Sequence, residues 1–322
     1  MHKKQSSPLR RRSLLLAAGA AAVALPAAAQ QAAAPRTLRI GYQKFNTFNL
    51  LKGTGALEKA LPGVEVRWHE FAAGPQLLEA LAGGALDFGH AADAPSVFAQ
   101  AAGKQIAYLG AEQPYPAGIG VVVQAASPLK SVGELKGRRV AIGRGWNAQY
   151  LLVRALEEAG LGWDDIEPAY VSTAADARAA LESGRVDAAG LWDPFLAGAE
   201  LGGARVLRDG AGLSNNRTFY LASPAFAAAQ GSLLRAFFAE LARTDRWANA
   251  NPQEVASMLA PQLGVDPKVL LRSTSRRRYG AVPVDAGIVA EQQRLADTFL
   301  RLKLIPRAIR VADAVPAQSP LA

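Results

Sequence analysis

From residue 38 onward the chain alternates between short apolar runs and longer stretches with helical spacing. Residues 38–42 read as a strand and 49–60 as a helix. Residues 64–68 alternate apolar and polar side chains, as a half-buried strand does. Helices are predicted over 75–82 and 94–102, and strands over 86–90 and 105–109. This succession favours an α/β sheet with parallel neighbours. A strand over 118–124 would then leave the first lobe, and the Lys136-Gly137 break precedes another at 138–142. Helix 149–159, strand 166–171, helix 174–182 and strand 186–191 follow, and a strand over 217–222 leads back. The remainder reads as helical over 233–250, 252–263 and 284–302. Pro224, Pro252 and Pro267 stand where helices would begin, which their fixed φ and missing N–H allow.

The same order of elements occurs twice. Leu81, Gly84, Asp87 and Asp93 recur as Leu181, Gly184, Asp187 and Asp193, offset by 100 each time. Ile40-Gly41 and Ile142-Gly143 each end a strand, with Asn46 and Asn147 in the loops that follow. A period this long means two lobes and not a solenoid. The expected division is lobe one over 37–122 and 222–322 and lobe two over 123–221. Ligands of open α/β sheets bind beyond the carboxyl ends of the strands. Both echoed loops lie there, so a cleft that closes about a hinge is expected.

Composition narrows the class. A chain of 322 residues, half of them hydrophobic and 20% charged, suits two compact domains. Lys3, Lys4, Arg10, Arg11 and Arg12 precede an apolar run over 14–25, and Ala27-Ala28-Ala29 stands before Gln30. This pattern predicts a signal peptide over 1–29, of the Sec or twin-arginine type, and a linker over 30–36. The mature protein is then expected to be soluble in the periplasm. Taking those five basic residues from the 36 leaves 31 against 27 acidic ones. That is a mildly basic surface and not a nucleic-acid footprint. With no Cys, thiol chemistry, disulfides and cysteine metal sites are excluded. Three His, one of them in the signal, make a zinc site unexpected. There is no nucleophile elbow, P-loop, HExxH or GxGxxG motif, so neither an enzyme nor a cofactor is expected.

The candidate chemistry sits in strand-to-helix loops. The first N–H groups of a helix lack intrahelical partners and carry the positive end of the dipole, so they hold anions. Four such ends are expected at the cleft: after Tyr42, at Asp93, at Asn147 and at Asp193. Gln43, Asn46, Gln76 and Asn147 offer amide donors without burying charge. Asp93 and Asp193 read first as N-caps, with Pro194 at the first helical position. The alternative is that one of them, or Glu112, meets an amino group on a zwitterionic ligand. Asp87 and Asp187 open strands and read as structural. Trp146, between Gly145 and Asn147, is expected to touch ligand, whereas Trp192 ends an apolar strand and reads first as core. Tyr42 and Tyr220 end strands near the presumed hinge, and His90 reads as a polar lining group. The run Arg276-Arg277-Arg278 reads as a solvated face, or as a face from which one Arg gates the cleft.

Several motifs in one order carry a family resemblance. The stretches 38–44 (with Gly41-Tyr42-Gln43), 73–81 (with Gly74-Pro75-Gln76), 98–103, 174–180, Trp192-Asp193-Pro194-Phe195 and 205–210 together resemble the aliphatic sulfonate-binding proteins of ABC importers. The wider family includes taurine, nitrate and thiamine-precursor binders. The resemblance implies a two-lobed periplasmic binding protein of type II, each lobe a mixed sheet flanked by helices. It also implies a small organic anion as ligand, a permease and an ATPase subunit as partners, and a monomer. By the same resemblance Gln43, Gln76, Asp93, Trp192 and Asp193 would line the cleft. The full candidate set is Gln43, Asn46, Gln76, Asp93, Ala94, Glu112, Trp146, Asn147, Ala148, Trp192, Asp193 and Tyr220. Two stretches depart from the family. Arg144-Gly145-Trp146-Asn147-Ala148-Gln149 stands where such binders have a Ser-rich loop, and Ala94 and Ser96 flank Pro95 where Ile-Pro-Pro is usual. The alternative reading is a binder or enzyme akin to the thiamine-pyrimidine synthases, which look to a Cys-rich iron motif that this chain lacks.

Overall fold

The computed structural model describes residues 37–44 and 47–321. The expected signal peptide and linker, and the candidate Asn46, lie outside the described residues. The chain begins with β1 (Thr37–Tyr42), α1 (Thr47–Thr54), α2 (Ala56–Ala60), β2 (Glu65–Glu70), α3 (Gly74–Ala82), β3 (Phe88–Ala92), α4 (Asp93–Ala101) and β4 (Ala107–Glu112). It then builds β5 (Ile119–Val123), β6 (Arg139–Ile142), α5 (Asn147–Glu158), β7 (Glu167–Tyr170), α6 (Ala174–Glu182), β8 (Ala188–Trp192), α7 (Phe195–Leu201) and β9 (Arg205–Asp209). It ends with β10 (Thr218–Ala222), α8 (Pro224–Ala229), α9 (Gly231–Ala250), α10 (Pro252–Leu263), α11 (Pro267–Ser275), β11 (Ala281–Val282) and α12 (Ala286–Arg301). The helix expected over 49–60 is two helices, because Gly55 takes a left-handed φ of 61° between them. Helices α7, α8 and α11 were anticipated only by their starts, at Asp193-Pro194, Pro224 and Pro267, and strands β9 and β11 were not anticipated as elements.

Two sheets result, with orders β11-β4-β10-β3-β1-β2 and β7-β6-β8-β5-β9. In the first, β1 lies parallel between β2 and β3, while β10 runs antiparallel to both β3 and β4. In the second, β6 lies parallel between β7 and β8, while β5 runs antiparallel to β8 and β9. Each lobe is therefore a mixed sheet, and in each the strand that arrives from the other lobe runs antiparallel to its neighbours; the short β11 also pairs antiparallel with β4. The crossings differ from the expected boundaries at 122/123 and 221/222. Strand β5 pairs only within the second sheet and β10 only within the first. The chain thus passes between sheets in the loops 113–118 and 210–217, since a strand keeps its backbone groups paired by staying in one ladder.

The 100-residue echo has a local cause. Gly84 and Gly184 both take left-handed φ, 74° and 70°, and end α3 and α6 alike. Past each turn an Asp carboxylate accepts the N–H of an Arg on the neighbouring parallel strand. Asp87 takes that of Arg39 at 2.8 Å and Asp187 that of Arg139 at 2.9 Å. These ties fix the start of β3 on β1 and of β8 on β6, so Asp87 and Asp187 are structural as expected.

Three cores position the site. Val121, Val140, Leu151, Leu181 and Leu191 fill the second lobe. In the first, Phe48, Phe88, Tyr220, Phe237 and Phe238 pack ring on ring, with Phe88 and Phe237 edge to face at 4.6 Å. The third joins the lobes: Phe299 of α12 meets Phe98 of α4 at 5.1 Å and Tyr150 of α5 at 5.8 Å. Phe237→Ala is expected to destabilise the protein by about 3–5 kcal/mol, because the rings around it cannot close the cavity. Urea unfolding of the variant against the parent chain checks this.

Candidate functional site

The loops at the carboxyl ends of the strands meet around a small cavity of about 30 Å³ that opens to solvent. Its walls come from both lobes. Gln43 follows β1, Ala73 and Gly74 begin α3, and Ala92 and Pro95 straddle the start of α4. From the second lobe come Trp146 and Asn147, at the start of α5, and Trp192 and Asp193, at the end of β8. The crossing loops add Tyr115, Gly118 and Asn216, Thr218 begins β10, and Arg277 follows α11. Three helix N-termini, those of α3, α4 and α5, therefore reach the wall. The expected end at α7 is different, because Asp193 Oδ1 accepts the Ala197 N–H at 3.0 Å and so occupies that turn.

Each candidate residue has a definite place. Gln43 is buried; its Nε2 donates to the His90 carbonyl, and its N–H donates to His90 Nε2, both at 3.2 Å. His90 is wholly buried, and burial together with the Arg277 charge pushes its pKa well below the ordinary value. A neutral imidazole is what an accepting Nε2 requires. Asn147 lines the cavity and donates through Nδ2 to Asn216 Oδ1 at 2.6 Å; Asn216 donates in turn to the Tyr115 carbonyl at 2.9 Å. Trp146 is 4% exposed, so it packs in the core, and it also lines the cavity. Its indole meets Trp192 edge to face at 4.9 Å, and Trp192 likewise serves both core and wall. A Cβ on Gly143 would fall 1.9 Å from Trp146 Cε2, so only a glycine there lets the indole fold back over the strand end.

Six candidates stand behind or beside the wall. Ala94 and Ala148 are wholly buried in packed clusters. Gln76 lies exposed at the rim, where its Oε1 accepts the Ala73 N–H at 3.0 Å. Glu112 and Tyr220 form a buried layer: Tyr220 donates to Glu112 Oε1 at 3.0 Å, and Glu112 accepts from Arg277 Nη2. Asp93 is buried as the first residue of α4, and it faces a second, polar cavity with Arg217, Tyr150 and Gln292. Asp93 is not the N-cap; that position is Ala92, and the Asp93 carboxylate accepts the N–H of the next residue, Ala94, at 2.7 Å.

Asp193 does line the cavity, but its carboxylate is fully engaged. Arg276 grips it as a fork, with Nε at 2.7 Å from Oδ2 and Nη2 on Oδ1. The Tyr115 phenol lies between Asp193 Oδ2 and the Ser273 carbonyl, and its single proton goes to the stronger acceptor, the carboxylate. Burial and the Asp193 charge push the Tyr115 pKa well above its ordinary value, so it stays a donor. Asp193 is not the N-cap, which is Pro194, yet its carboxylate accepts an N–H of the first turn of α7 and pairs with Arg276 at once. Its peptide bond to Pro194 is cis, and α7 begins one residue later than expected, at Phe195.

The Arg run was misjudged as a mainly solvated face. Arg278 is exposed, whereas the side chains of Arg276 and Arg277 are 20% and 5% exposed. Helix α11 ends at Ser275, and the turn after it aims these two at Asp193 and Glu112, which offset the loss of hydration. Tyr115, Asn216, Thr218 and Arg277 went unlisted from sequence. The Tyr115-Pro116 turn was a signal that could have found Tyr115, whereas the pairing that buries Arg277 joins residues far apart in the chain.

Two mixed α/β lobes closing on one cavity, joined by crossing loops, define the type II periplasmic-binding-protein class. The chain belongs to the NMT1/THI5-like family, whose model matches residues 60–255. It is 39% identical over 286 residues to a protein of Escherichia coli (strain K12) named as an aliphatic sulfonates-binding protein, covering 88% of this chain and 89% of that one. The alkanesulfonate-binding protein SsuA of Xanthomonas axonopodis pv. citri, solved bound to MOPS, superposes with a TM-score of 0.84 at 39% identity, over 88% of this chain and 99% of that one. The periplasmic aliphatic sulphonate binding protein SsuA of Escherichia coli does so with a TM-score of 0.83 at 38% identity, over 89% and 94%.

Burial pushes the Asp93 carboxyl up to about 7, against the weaker pull of its backbone hydrogen bonds and of Arg217. Between the ordinary carboxylate pKa of about 4 and that value, the folded chain holds a proton that the unfolded chain has released. Its contribution is fully present below about pH 4 and is lost as pH rises through about 7. Asp245, also raised to about 7 by burial, adds a slope of the same sign. Asp93→Asn keeps an acceptor for Ala94 and has nothing to ionise. It is expected to be more stable than the parent at pH 8 and to show a shallower decline from pH 4 to 8, as read by urea denaturation.

Proposed function

We propose that this protein is the solute-binding component of an ABC importer, and that it captures an aliphatic sulfonate or a similar small organic anion in the periplasm. The observation that carries this reading is Arg277, a buried cation at the wall of a cavity that both lobes close. A sulfonate is a permanent monoanion with three acceptor oxygens around sulfur. Helix N-termini, the Asn147 and Gln43 amides and the Thr218 hydroxyl surround such a head with donors, and Trp146 and Trp192 flank an apolar tail. The similarity to proteins named for sulfonate binding supports the same class of cargo.

No bond is made or broken in this mechanism. Contacts from both lobes to one ligand favour the closed arrangement, and closure removes the ligand from water. No helix among the described residues is long and apolar enough to cross a membrane. Delivery is assigned to permease and ATPase partners, as the similarity to sulfonate-binding proteins supports. The protein works as a binder and not as an enzyme, in keeping with its similarity to binding proteins.

Thermal unfolding against alkanesulfonates, taurine, sulfate, nitrate, carboxylates and pyrimidine precursors tests the reading. A ligand at about 100 times its Kd stabilises by roughly 2.7 kcal/mol. A raised midpoint with alkanesulfonates is expected; a rise only with pyrimidine precursors or nitrate would move the cargo class. Arg277→Met combined with Glu112→Gln removes the cation without stranding a buried carboxylate. This pair is expected to weaken alkanesulfonate binding by about 10- to 100-fold, the loss of one charge-assisted hydrogen bond, as measured by calorimetric titration.

A further inference from the structure

Beside the cavity lies a more open groove. Ala73, Pro75 and Gln76 form its wall in the first lobe, and Arg144, Trp146 and Tyr170 form its wall in the second. Ala73 and Trp146 line both spaces, so a methyl group and an indole are the partition between them. Arg277 lines the cavity and not the groove. The two spaces together therefore have a cationic end enclosed by the lobes and an aromatic end open to solvent.

Tyr170 has no evident reason to be exposed. It ends β7, 40% exposed, one of few large apolar side chains so placed among the described residues. It stands beside Ile142 in the parallel ladder, next to the loop that carries Arg144 and Trp146. The Arg144 guanidinium lies 4.0 Å from the centre of its ring. Such a pair keeps an aromatic face flat and presented at a surface.

We propose that this groove is a tail subsite, and that the protein takes sulfonates whose tail is long or aromatic and passes between Ala73 and Trp146 to lie against Tyr170 and Arg144. The inference rests on the sulfonate reading above and adds the class of tail. A short alkyl tail ends within the cavity and never reaches Tyr170. A phenylalkyl tail extends onto the Trp146 edge and the Tyr170 face, where aromatic contact adds to burial.

Calorimetric titration of ethanesulfonate and 4-phenylbutanesulfonate into the parent protein, Tyr170→Ala and Arg144→Ala tests this. Thermal unfolding without ligand first establishes that both variants fold like the parent. Tyr170→Ala is expected to weaken 4-phenylbutanesulfonate by about tenfold and to leave ethanesulfonate within about twofold. Arg144→Ala is expected to show the same selectivity to a smaller degree. If both ligands bind the parent and Tyr170→Ala changes neither, or weakens both alike, the tail subsite is wrong while the sulfonate reading stands. If neither ligand binds the parent, the sulfonate reading fails and the subsite with it.

Discussion

The two lobes are held in register by one carboxylate. Asp193 ends β8, and its oxygens accept from Arg276, from the Tyr115 phenol and from the Ala197 N–H. A buried carboxylate without such partners would lose several kcal/mol of hydration with nothing in return. The donors come from the crossing loop, from the turn after α11 and from the first turn of α7, so satisfying Asp193 fixes three segments at once. Arg276 also reaches Glu200 at 2.9 Å, and Glu200 holds Arg272 at 2.8 Å, which carries the constraint along the face between α7 and α11. The wall residue that an amino group would have needed is thereby already committed.

The second buried pair, Arg277 with Glu112, sets the character of the cavity. Each arginine here has its own acid, so the wall carries cations without excess positive charge. An anion entering it meets oriented N–H groups and amides rather than bare charge. That favours ions with diffuse charge and modest hydration over small, strongly hydrated ones, since partial charges cannot offset a large desolvation loss. The buried layer beneath, with Tyr220 on Glu112 and neutral His90 on Gln43, keeps those donors from turning elsewhere.

Much of the fold was legible because hydrophobic period and turn residues are local. Strand β1, helices α6 and α10, and the three prolines that open helices stand where the pattern put them. The repeat was legible for the same reason: Gly84 and Gly184 need left-handed turns, and Asp87 and Asp187 cap the following strands. The site was less legible because its chemistry is made by pairs far apart in the chain. Arg277 and Glu112 are 165 residues apart, and Tyr115 and Asp193 are 78. Nothing in the spacing of an arginine run says which member will be buried. Asp93 and Asp193 look alike in sequence, and they differ because one start of helix faces Arg217 and Gln292 while the other faces Arg276.

Gly143 carries a consequence of another kind. It touches no part of the cavity, yet its missing side chain is what lets the Trp146 indole close one wall. The volume offered to a cargo is therefore governed from a backbone position outside its reach. A chain of this design can change the size of molecule it accepts by a single substitution that leaves every direct contact residue intact. A search for the determinants of selectivity confined to the lining would pass over it.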